Sequence, residues 1–148
     1  MSFRVQGMSL GAVFLAWVVG VSDGDTLLVR PEGAPPHKVR VAYIDAPEHE
    51  QPFGTAARKA LSSLCFKRNA QINPINLDRY GRVVAEVKCA GTDVATAQVS
   101  AGMAWVYPAY APKQSALYGL EETARLNRQG LWRDAKPTPP WRWRRQQP

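Results

Sequence analysis

At 148 residues the chain is one domain of ordinary size, long enough to bury its own core without obligatory staples, and a second domain is not expected. Its formal charge of +7 points to an anionic partner, but from Arg133 onward five basic residues and one acid supply +4 of it, so the basic signal is largely a tail signal. Two cysteines distant in sequence and two histidines, His37 and His49, without ligand spacing exclude a zinc centre.

In chain order, the run after Arg4 is uncharged as far as Val21, and residues 8–19 are mostly apolar. The pattern has the length of a short signal core and is too brief for a comfortable membrane span. Residues 1–16 are read as a signal peptide or N-terminal extension, which implies a secreted or periplasmic protein, with a cytoplasmic one as the alternative. A first core strand covers residues 18–21 either way. Ser22-Asp23-Gly24 is a turn in which glycine permits positive φ, and Thr26 opens a second strand. Residues 32–36 are a Gly/Pro loop. In residues 38–44, Val39, Val41 and Tyr43 alternate with Arg40 and Ala42, which places Arg40 on the face opposite the valines. Pro47 ends this strand because it has no ladder donor.

A loop over 49–53 leads to a helix over 54–66, where Ala57, Ala60, Leu61 and Leu64 recur at helical spacing. A strand over 70–76, the turn Asp78-Arg-Tyr-Gly-Arg82 and a fifth strand through Val83, Val84 and Val87 follow. Residues 92–102 read as a helix capped by Gly91 or Thr92, and residues 103–110 are an apolar and aromatic run. Residues 114–128 form the last expected helix, stopped by Gly130. Residues 136–148, built from Pro, Trp and Arg, read as an extended low-complexity tail. Cys65 and Cys89 fit two buried thiols or one disulfide; the bond would close a loop of about 25 residues, worth about 3–4 kcal/mol.

Three strands, a helix, two strands and then helices predict a mainly β fold with α additions, a five-stranded OB-fold β-barrel with three helices; an α+β sandwich fits the same pattern. The barrel domain spans residues 17–133 and the tail residues 134–148.

Five of the twelve acids fall within residues 21–48, and four of them (Asp23, Asp25 and Asp45, Glu48) form two pairs with Arg40 between them. Carboxylates crowded this closely call for a cation. If the hairpin brings Asp25 beside Asp45, the two acids, a backbone carbonyl and water make a hard oxygen site suited to Ca²⁺, with Asp23 a weaker, outer participant. Glu48, ionised at neutral pH, can take a proton from water. Arg40 and Arg82 stay charged and match phosphate oxygens in shape.

Asp23-Gly-Asp-Thr26, Arg40, Asp45-Ala-Pro-Glu48, Asp78-Arg-Tyr-Gly-Arg82 and the Ala101-Gly-Met-Ala-Trp segment together resemble the staphylococcal nuclease family over residues 18–132. The resemblance implies a calcium-dependent nuclease acting on DNA and RNA, single-stranded or locally melted. It implies that Asp25, Asp45 and the backbone carbonyl of Ala46 bind Ca²⁺, that Arg40 and Arg82 hold the scissile phosphate, and that Glu48 is the general base. The family's aromatic pocket is matched by Tyr80 and by Tyr107 or Tyr110. The loop over 49–53 is shorter than in the namesake, and position 46 is Ala where the namesake has Thr. A monomer without a stable membrane span is expected. Two other readings fit the residues: a non-catalytic nucleic-acid- or protein-binding module on the same barrel, and a membrane-surface or structural protein relying on the Trp-Arg tail.

Overall fold

A computed structural model describes residues 12–148 and, of the preceding segment, only the pairing of Arg4–Val5 with Met8–Ser9. Of the reading of residues 1–16 as a signal peptide or extension, the part on residues 1–11 therefore lies outside the described residues. Strand β1, Phe14–Asp23, begins three residues before the boundary expected at 17; Ala16 pairs with Pro31 on one side and Ala70 on the other. Irregular register at Val18/Gly20 and Val21/Asp23 bends β1, as an extra residue in one strand does, so that it serves two neighbours of a closing sheet.

β2, Thr26–Pro31, returns antiparallel to β1, and β3, His37–Val41, antiparallel to β2. Helix α1, Gly54–Cys65, packs against β1, and its Ala57, Leu61 and Cys65 are buried. β4, Asn69–Leu77, pairs with β1 and with β5, Val83–Cys89. A parallel pairing of β3 with β5, Val39 to Val83 through Val41 to Ala85, closes five strands into a barrel. Its interior is filled by Val18, Leu27, Val29, Val39, Val41, Ile72, Val83 and Val87, all at most 1% exposed. The alternation seen in the sequence is this inside–outside alternation. Cys65 and Cys89 form a disulfide, Cα to Cα 5.3 Å, which ties the end of α1 to the end of β5.

Three elements differ from the sequence expectation. β3 stops at Val41: Tyr43 adopts φ 73°, and the chain leaves the barrel so that Ile44–Asp45 can pair with Trp105–Val106. Helix α2, Val94–Ser100, is capped by Asp93, whose carboxylate accepts from the Thr96 amide at 3.0 Å; Thr92 is taken by a two-residue pairing with β5. After α3, Leu117–Leu126, and a 3-10 turn at Gly130–Arg133, the tail is not extended: Pro140–Gln146 form a helix, α4. Pro140 stands at its first position, where a fixed φ suits a helix start and no amide is needed. Among the described residues no helix is long and apolar enough to cross a membrane.

Candidate active site

The β1–β2 turn is held from three sides. Asp23 Oδ1 accepts the Asp25 amide at 3.1 Å, which closes the turn locally. Gly24 admits no side chain, because a Cβ there would lie 2.6 Å from the Ala57 Cβ and 2.8 Å from the Ala46 Cβ. Only glycine lets the turn sit between α1 and the segment after β3. The buried Gln98 of α2 donates from Nε2 to the carbonyls of Gly24 (2.8 Å) and Ala57 (3.1 Å) and pins turn to helix.

This seating brings Asp25 beside Asp45. Asp25 is 5% exposed; its Oδ1 accepts from the Thr26 hydroxyl at 2.9 Å and its Oδ2 from the Ala46 amide at 2.7 Å. Arg40, opposite Thr26 in the ladder, folds over the barrel end. Its Nη1 donates to the carbonyls of Val41 (2.9 Å) and Ile44 (2.7 Å) and lies 3.4 Å from Asp25 Oδ2, while its Nη2 reaches Asp45 Oδ1 at 3.3 Å. The arginine thus shapes the loop that carries Asp45 and offsets one of the two acid charges.

Charge remains in excess. Burial and the neighbouring Asp25 carboxylate push Asp23 up to about 8. Burial would also raise Asp25, but the Arg40 guanidinium and its hydrogen bonds outweigh it and hold that carboxyl below the usual range. Asp45 is raised by burial, against the pull of its arginine partners. A cluster of three acids that keeps a proton rather than ionise fully is one that a hard cation would relieve, and its donors are all oxygen. Among the described residues no three Asp, Glu, His or Cys side chains are gathered tightly enough to hold a metal alone. A cation would need the carbonyl of residue 46 and water beside Asp25 and Asp45.

Glu48 lies three residues past Asp45 at the mouth of the site, its side chain 37% exposed. Its backbone is locked: the Gln51 amide donates to its carbonyl at 2.9 Å, and a Cβ on Gly54 would fall 1.9 Å from that oxygen. Its carboxylate is held by an arginine that sequence reasoning did not single out. Arg144 of α4 donates from Nη1 to Glu48 Oε1 (2.5 Å) and Asp45 Oδ1 (3.2 Å), and from Nη2 to Asp45 Oδ2 (2.7 Å).

Arg82, expected to close the site, is engaged elsewhere. Its Nε donates to Asp78 Oδ2 at 2.7 Å, and its guanidinium lies 5.6 Å from the Tyr80 ring centroid. Asp78 also collects the turn amides of Tyr80 and Arg82, which makes it a fixed acid beside the arginine. Arg82 makes no ion pair with Asp25, Asp45 or Glu48 among the described residues. It immediately precedes Val83 and lies two residues before Val84, the ladder partner of Arg40.

Tyr80 and Tyr110 are 70% and 73% exposed. Tyr107 is half-buried; Tyr110 meets it edge-on at 5.1 Å, and Trp141 of α4 stacks on it at 5.3 Å with the planes 6° apart. The residues missed from sequence, Arg144, Trp141 and Gln98, had a faint signal. Trp141 and Arg144 are three apart, hence on one face once the tail is helical, and Gln98 is a lone amide on an apolar helix face.

Residues 38–134 match the family model described as staphylococcal nuclease homologue. The chain is 40% identical over 146 residues to a micrococcal nuclease of Shigella flexneri, covering 90% of this chain and 82% of that protein. It is 40% identical over 130 residues to an uncharacterized endonuclease of Haemophilus influenzae (88% and 72% covered) and 38% identical over 128 residues to one of Escherichia coli (86% and 82%). With a closed five-stranded barrel, the acids and Arg40 gathered at one end of it and two thirds of its length inside the family pattern, the chain belongs to the staphylococcal nuclease family.

Proposed function

We propose that the protein is a Ca²⁺-dependent phosphodiesterase that cleaves DNA and RNA with little sequence preference, favouring single-stranded or locally melted substrate. The observation that supports this most is the pairing of Asp25 and Asp45 with one guanidinium, each within 3.4 Å of Arg40, with Glu48 at the open side. Asp25, Asp45 and the carbonyl of residue 46 would hold Ca²⁺, which when bound supplies positive charge to the phosphate and to the attacking water. Glu48 takes a proton from that water as its oxygen bonds to phosphorus and the ester P–O bond on the opposite side breaks, the departing oxygen taking a proton from solvent to leave as the alcohol. Arg40 and Arg82 hydrogen-bond the non-bridging oxygens as charge grows on them. Tyr80, Tyr107 and Tyr110 offer ring faces for bases; stacking contributes about 1–3 kcal/mol per base and reads no base-edge pattern, which suits weak sequence preference.

The disulfide favours an oxidising compartment, so the protein is read as secreted or periplasmic, and as a monomer. A non-catalytic binding module on the same barrel is the alternative. Hydrolysis of single-stranded DNA with Ca²⁺, with Mg²⁺ and with a chelator separates the two. Cleavage is expected with Ca²⁺ and not in chelator, and Glu48→Gln is expected to lower kcat by about 10²- to 10⁴-fold with the fold intact. A folded protein that cuts nothing in Ca²⁺ leaves the binding module standing.

A further inference from the structure

The tail helix covers the site twice over. Arg144 uses both of its terminal nitrogens on the two oxygens of Asp45, whose side chain is 2% exposed, while the arginine itself remains 40% exposed on the solvent side. About one turn earlier on α4, Trp141 lies flat on Tyr107 and meets Trp105 edge-on at 5.7 Å. The segment entering α4 is anchored by Gln51, whose Nε2 donates to the Thr138 carbonyl at 2.5 Å, and by the buried Pro140. A cation and a flat aromatic ring, three residues apart on one helix, therefore lie where the acids would take a metal and where a tyrosine would take a base.

We propose that α4 is a self-occupying lid: Arg144 takes the place on Asp45 that a divalent cation requires, and Trp141 takes the Tyr107 face that a base requires, so metal and single-stranded nucleic acid must displace the helix to enter. This rests on the nuclease reading of the site. The physical ground is mutual exclusion. An Asp45 carboxylate with a guanidinium across both oxygens cannot also present them to a cation that takes six to eight oxygen ligands at about 2.3–2.6 Å. The same ground explains why the lid opens. A divalent ion brings twice the charge of a guanidinium to acids that are short of it, and the released helix carries Arg142, Arg144 and Arg145 into water, where phosphates can meet them. Because one short helix carries both plugs, loosening either frees the other.

Calorimetric titration of CaCl₂ into the full chain, into Arg144→Gln and into Arg142→Gln tests this, with amide exchange across residues 142–147 before and after Ca²⁺. Arg144→Gln is expected to bind Ca²⁺ about tenfold more tightly, the shift for an open form populated at about a tenth. Arg142→Gln should match wild type, and Ca²⁺ should speed exchange of the α4 amides in wild type. Trp141→Ala, which loosens the helix without touching the acids, should tighten Ca²⁺ in the same direction and serves if Arg144→Gln does not fold. Equal or weaker Ca²⁺ binding by Arg144→Gln and Trp141→Ala, with wild type binding and cutting normally, overturns the lid and leaves the nuclease reading intact. No Ca²⁺ binding by any of the proteins overturns both.

Discussion

Arg144 and Asp45, 99 residues apart in sequence, share a two-pronged ion pair of 3.2 and 2.7 Å at the open end of the barrel. The pair makes the acid cluster electrically tolerable, because Asp45 is buried beside Asp25 and Arg40 alone must serve both. It also draws the last helix across the face where Glu48 and Tyr107 lie. The residues around the acids are therefore of two kinds: those fixed by burial in the folded body, and those carried by an exposed turn or by the tail.

Arg82 is of the second kind. Its side chain is 29% exposed and bound to a partly exposed Asp78, so little of the fold depends on it. Arg82→Lys keeps the charge and loses the planar fork. It is expected to lower kcat by about 10²- to 10³-fold while circular dichroism and Tm stay near wild type. A variant that cuts at the wild-type rate would remove Arg82 from the phosphate-binding machinery and leave Arg40 to act alone.

Gln98 is of the first kind, although it touches no acid. Gln98→Leu removes a 1%-exposed amide and with it the side-chain donor that joins the Gly24 carbonyl to the Ala57 carbonyl of α1. The expected cost is about 1–3 kcal/mol in urea unfolding. Because those bonds seat the Asp23-Gly-Asp turn, Ca²⁺ affinity should fall as well. Loss of stability with unchanged Ca²⁺ binding would show that the turn is positioned without Gln98.

The Cys65–Cys89 bond closes a loop of 24 residues between α1 and β5. Cys65→Ala/Cys89→Ala is expected to lose about 3–4 kcal/mol of stability in urea, with cleavage at 25 °C retained because neither sulfur approaches the acids. Equal unfolding midpoints with and without reductant would count against a stabilising role.

Glu121 accepts the Val106 amide at 2.7 Å, and burial raises its carboxyl above the ordinary value of 4.5. The folded protein therefore holds this proton more tightly than the unfolded chain. The associated stability is complete below pH 4.5 and is lost as pH rises through the higher folded value. Glu121→Gln keeps the acceptor and removes the titration. Its stability relative to wild type should rise between about pH 4 and pH 7, measured by urea unfolding across that range. A difference that does not change with pH would sink the assignment.

The strands were legible in the sequence because the barrel wall writes itself as alternation: Val39 and Val41 face in, and Arg40 faces away. The disulfide was not, since two cysteines 24 residues apart become neighbours only when α1 and β5 meet. β3 was expected to run to Ile44, but pairing of Ile44–Asp45 with Trp105–Val106 ended it early, a long-range contact that local pattern does not carry.

For residues 21–48 the sequence alone determined the chemistry on offer: a glycine turn between two acids, an arginine in mid-strand and an acid beyond a proline can be recognised without coordinates. The meeting of Asp25 with Asp45 followed from strand pairing and was correspondingly readable. Only the tertiary structure decided which cation those acids hold within the chain itself. Arg82, in a turn with its own acid, is satisfied locally by Asp78, whereas α4 carries no acid and its Arg144 pairs with Asp45 and Glu48. Local pattern records which groups carry charge; which opposite charge each one finds depends on where the folded chain passes.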